Sequence, residues 1–126
     1  MSSRLSPAVR TLIRQHVHSV GGLELLMLLH AERDRSWSVR DICDALTCPA
    51  SWAEARLDAM ADAGLIQREG DRWRYAASNT ELEQATSALQ EAYRLHSREV
   101  VRFVFATPGR DLKEFSDAFR VRRRER

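Results

Sequence analysis

The stretch from Ser38 to Ala76, SVRDICDALTCPASWAEARLDAMADAGLIQREGDRWRYA, constrains this chain more than any other part of it. Ile42, Ala45 and Leu46 fall at the i, i+3, i+4 spacing of one helix face and predict a short helix over Val39–Leu46, with Ser38 as its N-cap. Thr47, Cys48 and Pro49 interrupt that pattern, because proline disfavours helical geometry in the residue before it and supplies no backbone donor. A second helix is expected to start at Ser51, where Ser51 and Glu54 read as a capping box. It continues through Ala53, Leu57 and Met60 to a stop at Gly64.

Leu65 to Arg68 then reads as a strand, Glu69-Gly70-Asp71 as a turn, and Arg72-Trp73-Arg74-Tyr75 as a second strand with alternating polar and aromatic residues. Two short helices around a tight turn form a helix-turn-helix, and the basic hairpin after them is a wing. The segment resembles the winged helix-turn-helix superfamily, in the version used by many bacterial transcription regulators. The helix ending in Leu57, Met60 and Gly64-Leu65-Ile66, followed by the basic hairpin, carries that resemblance over about a third of the chain. It implies a DNA-binding module whose second motif helix enters the major groove. Winged helices also serve as protein-protein modules, so fold alone does not assign function.

A chain of 126 residues, 44% hydrophobic and 30% charged, is long enough for one domain with a core and helical extensions. The fold expected is mainly α with a minor β part: an N-terminal helix, the winged motif, a long C-terminal helix and a short final helix. The longest apolar run, Leu25 to Leu29, is far below the roughly 20 residues that span a bilayer. MSSRLSPAVR lacks the apolar core of a secretory signal, so a cytoplasmic protein away from membranes is expected. No nucleophile beside a base, carboxylate pair or phosphate-cradling loop is legible, and neither an enzyme nor a cofactor is expected. His16, His18, His30 and His96 have no partners at metal-ligand spacing. Cys43 and Cys48 read as small core residues, the alternative being a redox-sensing pair.

Ser6-Pro7 opens a first helix, with Val9, Leu12, Ile13, His16, Val17 and Val20 on one face and an end near the Gly21-Gly22 junction. The next helix, Leu23 to Glu32, is leucine-rich around its whole circumference and is expected at the centre of the core. Arg33 to Ser36 is a polar loop, and Trp37 is a candidate for a short strand pairing with the wing. After the wing, Ser78 or Asn79 caps a helix whose Leu82, Ala85, Leu89, Tyr93, His96, Val100 and Phe103 recur at spacings of three and four. Drawn from Thr80 to Phe105 it is about 39 Å long, the alternative being an earlier end, because Val100 to Phe105 is also β-prone. That length suggests pairing with a second subunit in a two-fold homodimer, the alternative being that it folds back on the first two helices. Pro108-Gly109 ends it, and Leu112, Phe115 and Phe119 share a face of a last short helix that begins at Asp111. The expected organisation is a winged domain over 7–77, a helical, dimerising extension over 78–119 and a basic tail over 120–126.

The formal net charge is +2, of which residues 119–126 hold +4, leaving −2 for residues 1–118. An acidic body disfavours duplex DNA unless positive charge is locally clustered. On the second motif helix, Ser51, Trp52, Glu54 and Arg56 are the residues placed to face the major groove, with Trp52 exposed. One arginine against three acids over Ser51–Ala63 departs from the superfamily's usual pattern. On the wing, Arg68, Arg72 and Arg74 either reach the backbone or minor groove or pair with neighbouring acids. Arg120, Arg122, Arg123, Arg124 and Arg126 read as a basic arm for phosphates, a dock for an acidic partner or a solvated end. Double-stranded DNA and a second copy are therefore the expected partners, and a DNA-free protein-interaction module, with Trp52 or the long helix as anchor, is the alternative.

Overall fold

The computed structural model describes residues 5–106. They form a mainly helical fold with one small three-stranded antiparallel sheet. Helix α1, Pro7–His16, starts as expected: the Ser6 hydroxyl accepts from the Val9 N–H at 3.3 Å, and Pro7 occupies the first turn, where its missing N–H is not needed. It stops at His16, earlier than the expected end near Gly21-Gly22. The two glycines are not a junction. Ser19 accepts from the Gly22 N–H at 3.1 Å and caps α2, Val20–Ala31, so both glycines lie in that helix's first turn.

Helix α2 is the centre of the core, with Leu23, Leu25, Leu26 and Leu29 fully buried. Strand β1, Trp37–Ser38, leads into α3, Val39–Leu46, through a reciprocal capping box. The Asp41 N–H donates to the Ser38 hydroxyl at 3.0 Å, and the Ser38 N–H donates to the Asp41 carboxylate at 3.2 Å. Of the three residues assigned to the inner face of α3, Ile42 is buried and Leu46 half-buried, whereas Ala45 is exposed. Cys43 packs against the core beside them, which rotates the inner face by one residue.

Thr47, left-handed at φ 55°, ends α3, and α4 spans Ala50–Asp62. The expected Ser51 capping box does not form. Pro49 is the N-cap, its φ of −70° already suited to that place, and its carbonyl accepts from the Ala53 N–H at 3.1 Å, which draws Ser51 into the helix. The C-terminus follows the expected glycine stop. Gly64 at φ +85° turns the chain, with Leu65 N–H bonded to the Met60 carbonyl and Gly64 N–H to Ala61, both at 3.0 Å.

Strands β2, Ile66–Glu69, and β3, Arg72–Tyr75, are joined by Gly70-Asp71, with Gly70 at φ +68° as a two-residue hairpin needs. The sheet order is β1-β3-β2, so Trp37 pairs with Trp73, as its place before the motif suggested. Trp73 and Tyr75 are buried, and Arg72 and Arg74 alternate with them.

The single long helix does not exist. Helix α5, Thr80–Leu95, is capped by Asn79, whose side chain accepts from the Leu82 N–H at 2.8 Å, and the chain breaks at His96 before α6, Ser97–Ala106. His96 leaves helical geometry at φ −137°, ψ 52°. The break lets α6 turn back and bury Val100 and Val104 in the cluster that holds Leu12, Leu26 and Leu89. The two helices are about 24 and 15 Å long and pack on α1 and α2, the folding-back alternative to a dimer helix. The short helix expected from Asp111 and the arginine tail lie outside the described residues. Among those described, no helix is long and apolar enough to cross a membrane.

Candidate nucleic-acid interface

Helix α4 turns Ala53, Leu57 and Met60 inward and leaves Ser51, Glu54, Ala55, Asp58 and Asp62 exposed. Ser51 and Glu54 are therefore where the sequence placed them. Trp52 is not: it is half-buried and lies on α2, where a Cβ built on Gly21 would stand 3.0 Å from its indole ring. Gly21 thus gives Trp52 its seat, and the indole closes the gap between helices instead of facing solvent. Arg56 is half-buried, its Nη1 3.2 Å from Nδ1 of His18 in the link between α1 and α2.

The hairpin brings its three arginines together, each held by the protein itself. Arg68 donates from Nε to the Gly70 carbonyl at 2.8 Å, and its guanidinium lies 5.1 Å from the centre of the Trp73 ring. Arg72 donates to the Ser36 hydroxyl at 3.1 Å, to the Ser36 carbonyl at 3.0 Å and to Asp41 at 3.1 Å. Arg74 pairs with Glu69 across the hairpin. The Ser38 N–H chiefly, then the Ser38 hydroxyl, Arg72 and Arg35, hold the Asp41 carboxyl below its ordinary range. Arg74 is thus paired with an acid across the hairpin and Arg72 with Asp41 of α3, whereas Arg68 bonds a carbonyl of its own turn.

A polar cluster that no local pattern announces fixes the base of the hairpin. Glu83 on α5 accepts from Arg33 at 2.6 Å, from the Tyr75 hydroxyl at 2.8 Å and from Ser87 at 3.0 Å. Arg33 chiefly, then Tyr75 and Ser87, hold its carboxyl down to about 2. Burial chiefly, with the Glu83 carboxylate adding to it, pushes the Tyr75 phenol up to about 12. His30, buried on α2, stands edge-on to Tyr75 with ring centres 4.9 Å apart and bonds Gln90 and Ser87. Apart from the i, i+4 pair of Glu83 and Ser87, these partners lie 8 to 60 residues apart in the chain, beyond the reach of any spacing rule. Arg35, also absent from the sequence-derived site, stacks 3.6 Å from the Trp37 ring centre beside Asp41.

No family model, curated protein or solved structure matches the chain. Residues 5–106 contain twelve arginines against fourteen acidic residues, a net −2. Among the described residues, no three His, Cys, Asp or Glu side chains gather as a metal site. A groove of about 510 Å³ runs between α1 and α5, edged by Thr11, Gln15, Asn79, Glu81 and Gln84. Arg120, Arg122, Arg123, Arg124 and Arg126 lie outside the described residues.

Proposed function

We propose that the chain is a winged helix-turn-helix protein and acts as a DNA-binding transcription regulator, with α4 as the major-groove helix and β2–β3 as the wing. The observation that carries this reading is the order α2-β1-α3-α4-β2-β3, closed by β1 pairing with β3. It leaves one side of α4 and the hairpin tip uncovered. Ser51, Glu54 and Arg56 are the α4 residues offered to bases and phosphates; Arg68, Arg72 and Arg74 are offered to the backbone. Trp52 leaves the set, because it is occupied with Gly21.

The pairing of the hairpin arginines does not forbid this role. Arg72 and Arg74 keep 46% and 40% of their side-chain surface, and ion pairs that exposed are worth about 0–1 kcal/mol. Phosphate oxygens can replace Asp41 and Glu69 as acceptors at small cost. The net −2 of the body limits non-specific affinity, so the basic tail serves here as an arm that adds phosphate contacts. The grounds for a homodimer narrow, because the long helix that motivated it is two helices packed on α1 and α2. A two-fold dimer remains the form that would match a pseudo-palindromic site.

One observation favours a second reading. Glu54, Asp58 and Asp62 are all exposed on α4, a surface suited to a basic protein partner instead of DNA. The test is fluorescence anisotropy of a labelled mixed-sequence duplex over a salt series. The titrants are the full chain, a chain ending at Phe119, and the full chain carrying Arg68→Ala, Arg72→Ala and Arg74→Ala, with sedimentation to fix the subunit number. For DNA binding, removing the three wing arginines should lower the log–log salt slope by about 2 to 3. Affinity and slope unchanged in that folded variant would remove the wing from the interface; no binding by any form would support the interaction module.

A further inference from the structure

Both ring nitrogens of His30 are committed to α5. His30 lies on α2 at 8% exposure, its Nδ1 3.1 Å from Oε1 of Gln90 and its Nε2 3.2 Å from Oγ of Ser87. What each nitrogen carries follows from what its partner can do. Arg33 chiefly holds the Glu83 carboxyl down to about 2, so at neutral pH it is ionised and only accepts. Ser87 donates its single proton to that carboxylate at 3.0 Å, which leaves its oxygen only an acceptor toward His30. Nε2 must then carry a hydrogen. The Gln90 oxygen accepts as well, so the arrangement is complete only for a ring with both protons, the imidazolium.

A neutral ring gives up one of these protons, and the two choices are unequal. Loss from Nε2 would turn the Ser87 hydroxyl round to His30 and take one of three donors from the Glu83 carboxylate, a bond to a charged acceptor. Loss from Nδ1 asks only that the Gln90 carboxamide turn over and present its NH2 group. Among the described residues Gln90 bonds only His30, so nothing there opposes the turn. The charged and titratable groups around the ring are Glu83 from α5, Tyr75 from β3, edge-on at 4.9 Å, and Arg33 just past α2, whose guanidinium lies 5.0 Å from the Tyr75 ring centre. Helices α3 and α6 also pack on α2, and they turn Ile42, Val100 and Val104 into the core.

We propose that His30 is a proton site of the α2–α5 joint that titrates at Nδ1 alone, with Gln90 turning as it does so and Ser87 keeping the proton on Nε2. The anchor of the hairpin is thereby insulated. Glu83 keeps Arg33, Tyr75 and Ser87 in both states, and the change of charge is taken up between α2 and α5.

The test is an NMR titration of the histidine ring nitrogens in the full chain between about pH 5 and 8, the span in which histidines change charge. As pH rises, Nδ1 of His30 is expected to pass from N–H to bare nitrogen while Nε2 stays protonated, and the Gln90 side-chain amide should shift with the same midpoint. Gln90→Glu places a group that only accepts at Nδ1 and should raise the proton affinity of His30 more than tenfold. Ser87→Ala removes the acceptor at Nε2 and should let the Nδ1–H form of the neutral ring appear. The natural sequence decides the tautomer without any substitution, so a loss of folding in a variant cannot imitate the result. A neutral ring protonated at Nδ1 in the natural sequence, a ring that keeps one charge state throughout, a Gln90 amide that does not move with it, or a tautomer indifferent to Ser87→Ala would overturn the proposal.

Discussion

Replacing Glu83 by glutamine removes one charge and leaves the shape of the cluster that ties the hairpin to α5. In the folded chain the Glu83 carboxyl is held at about 2 against an ordinary 4.5, with Arg33 the largest cause. At 1.36 kcal/mol per pKa unit the difference is about 3 kcal/mol. Glu83 keeps 35% of its side-chain surface and Arg33 45%, so water screens the interaction, and about 1–2 kcal/mol is the expected loss at pH 7. The sign follows from the lowered value. The folded chain binds this proton less readily than the unfolded chain, so the stabilisation is complete above the unfolded pKa and disappears as pH falls from about 4.5 toward 2. Urea unfolding followed by circular dichroism, on wild type and Glu83→Gln from pH 7 to pH 2.5, reads both the size and the pH window. A gap below about 0.5 kcal/mol at pH 7, or one that stays constant down to pH 2.5, would refute the assignment of this carboxylate as the electrostatic anchor of the hairpin.

Gly64 and Gly70 both sit at positive φ, at +85° and +68°, but only Gly64 is crowded: a Cβ there would lie 2.4 Å from the Ser78 hydroxyl, whereas nothing lies within 4 Å at Gly70. Gly70→Ala should therefore cost only the left-handed strain of about 1–2 kcal/mol, and Gly64→Ala about 1–2 kcal/mol more, with Ser78→Ala recovering part of the excess in a double-mutant cycle; equal losses for the two glycines would count against the crowding. Gly21→Val should destabilise by about 1–3 kcal/mol by pushing Trp52 off α2, and the tryptophan emission should shift red because Trp37 and Trp73 stay buried. An unshifted spectrum would show that Trp52 does not depend on that gap.

Which features the sequence revealed follows from the range of the forces that make them. The Ser6 and Ser38 caps, the Gly64 stop, the Gly70 turn and the pairing of Trp37 beside the hairpin are set by neighbours a few residues away or by period-two alternation, and each appears where the spacing placed it. Three local readings failed because a neighbouring residue met the same need first. Ser19 caps α2 ahead of the glycines, Pro49 caps α4 ahead of Ser51, and Cys43 takes the inner place given to Ala45. The break at His96 has no proline or glycine to announce it; the apolar spacing of three and four runs straight through, and only the burial of Val100 and Val104 against other helices reveals the turn.

The candidate interface divides in the same way. The sequence reports the sign and position of Arg68, Arg72 and Arg74, but their partners are a tertiary matter: Arg72 reaches Ser36 and Asp41, 36 and 31 residues away, while Arg68 turns back onto its own hairpin. A count of basic residues on the hairpin therefore overstates its free positive charge. What separates a DNA surface from a self-neutralised one is the energy needed to exchange a carboxylate for a phosphate. At the exposure of Asp41 and Glu69 that energy is small, 32% and 42% of their side-chain surface being open to water. The same openness makes the exchange sensitive to salt, which screens exposed charges beyond about 10 Å at 0.1 M. On the proposed reading, a hairpin built this way would release a competing carboxylate for each phosphate taken up by Arg72 or Arg74, so its net gain at those contacts would be lower than that of an unpaired arginine. If the proposed DNA-binding role holds, affinity would then depend on further cations, and the arginine run 120–126 contains the densest set in the chain.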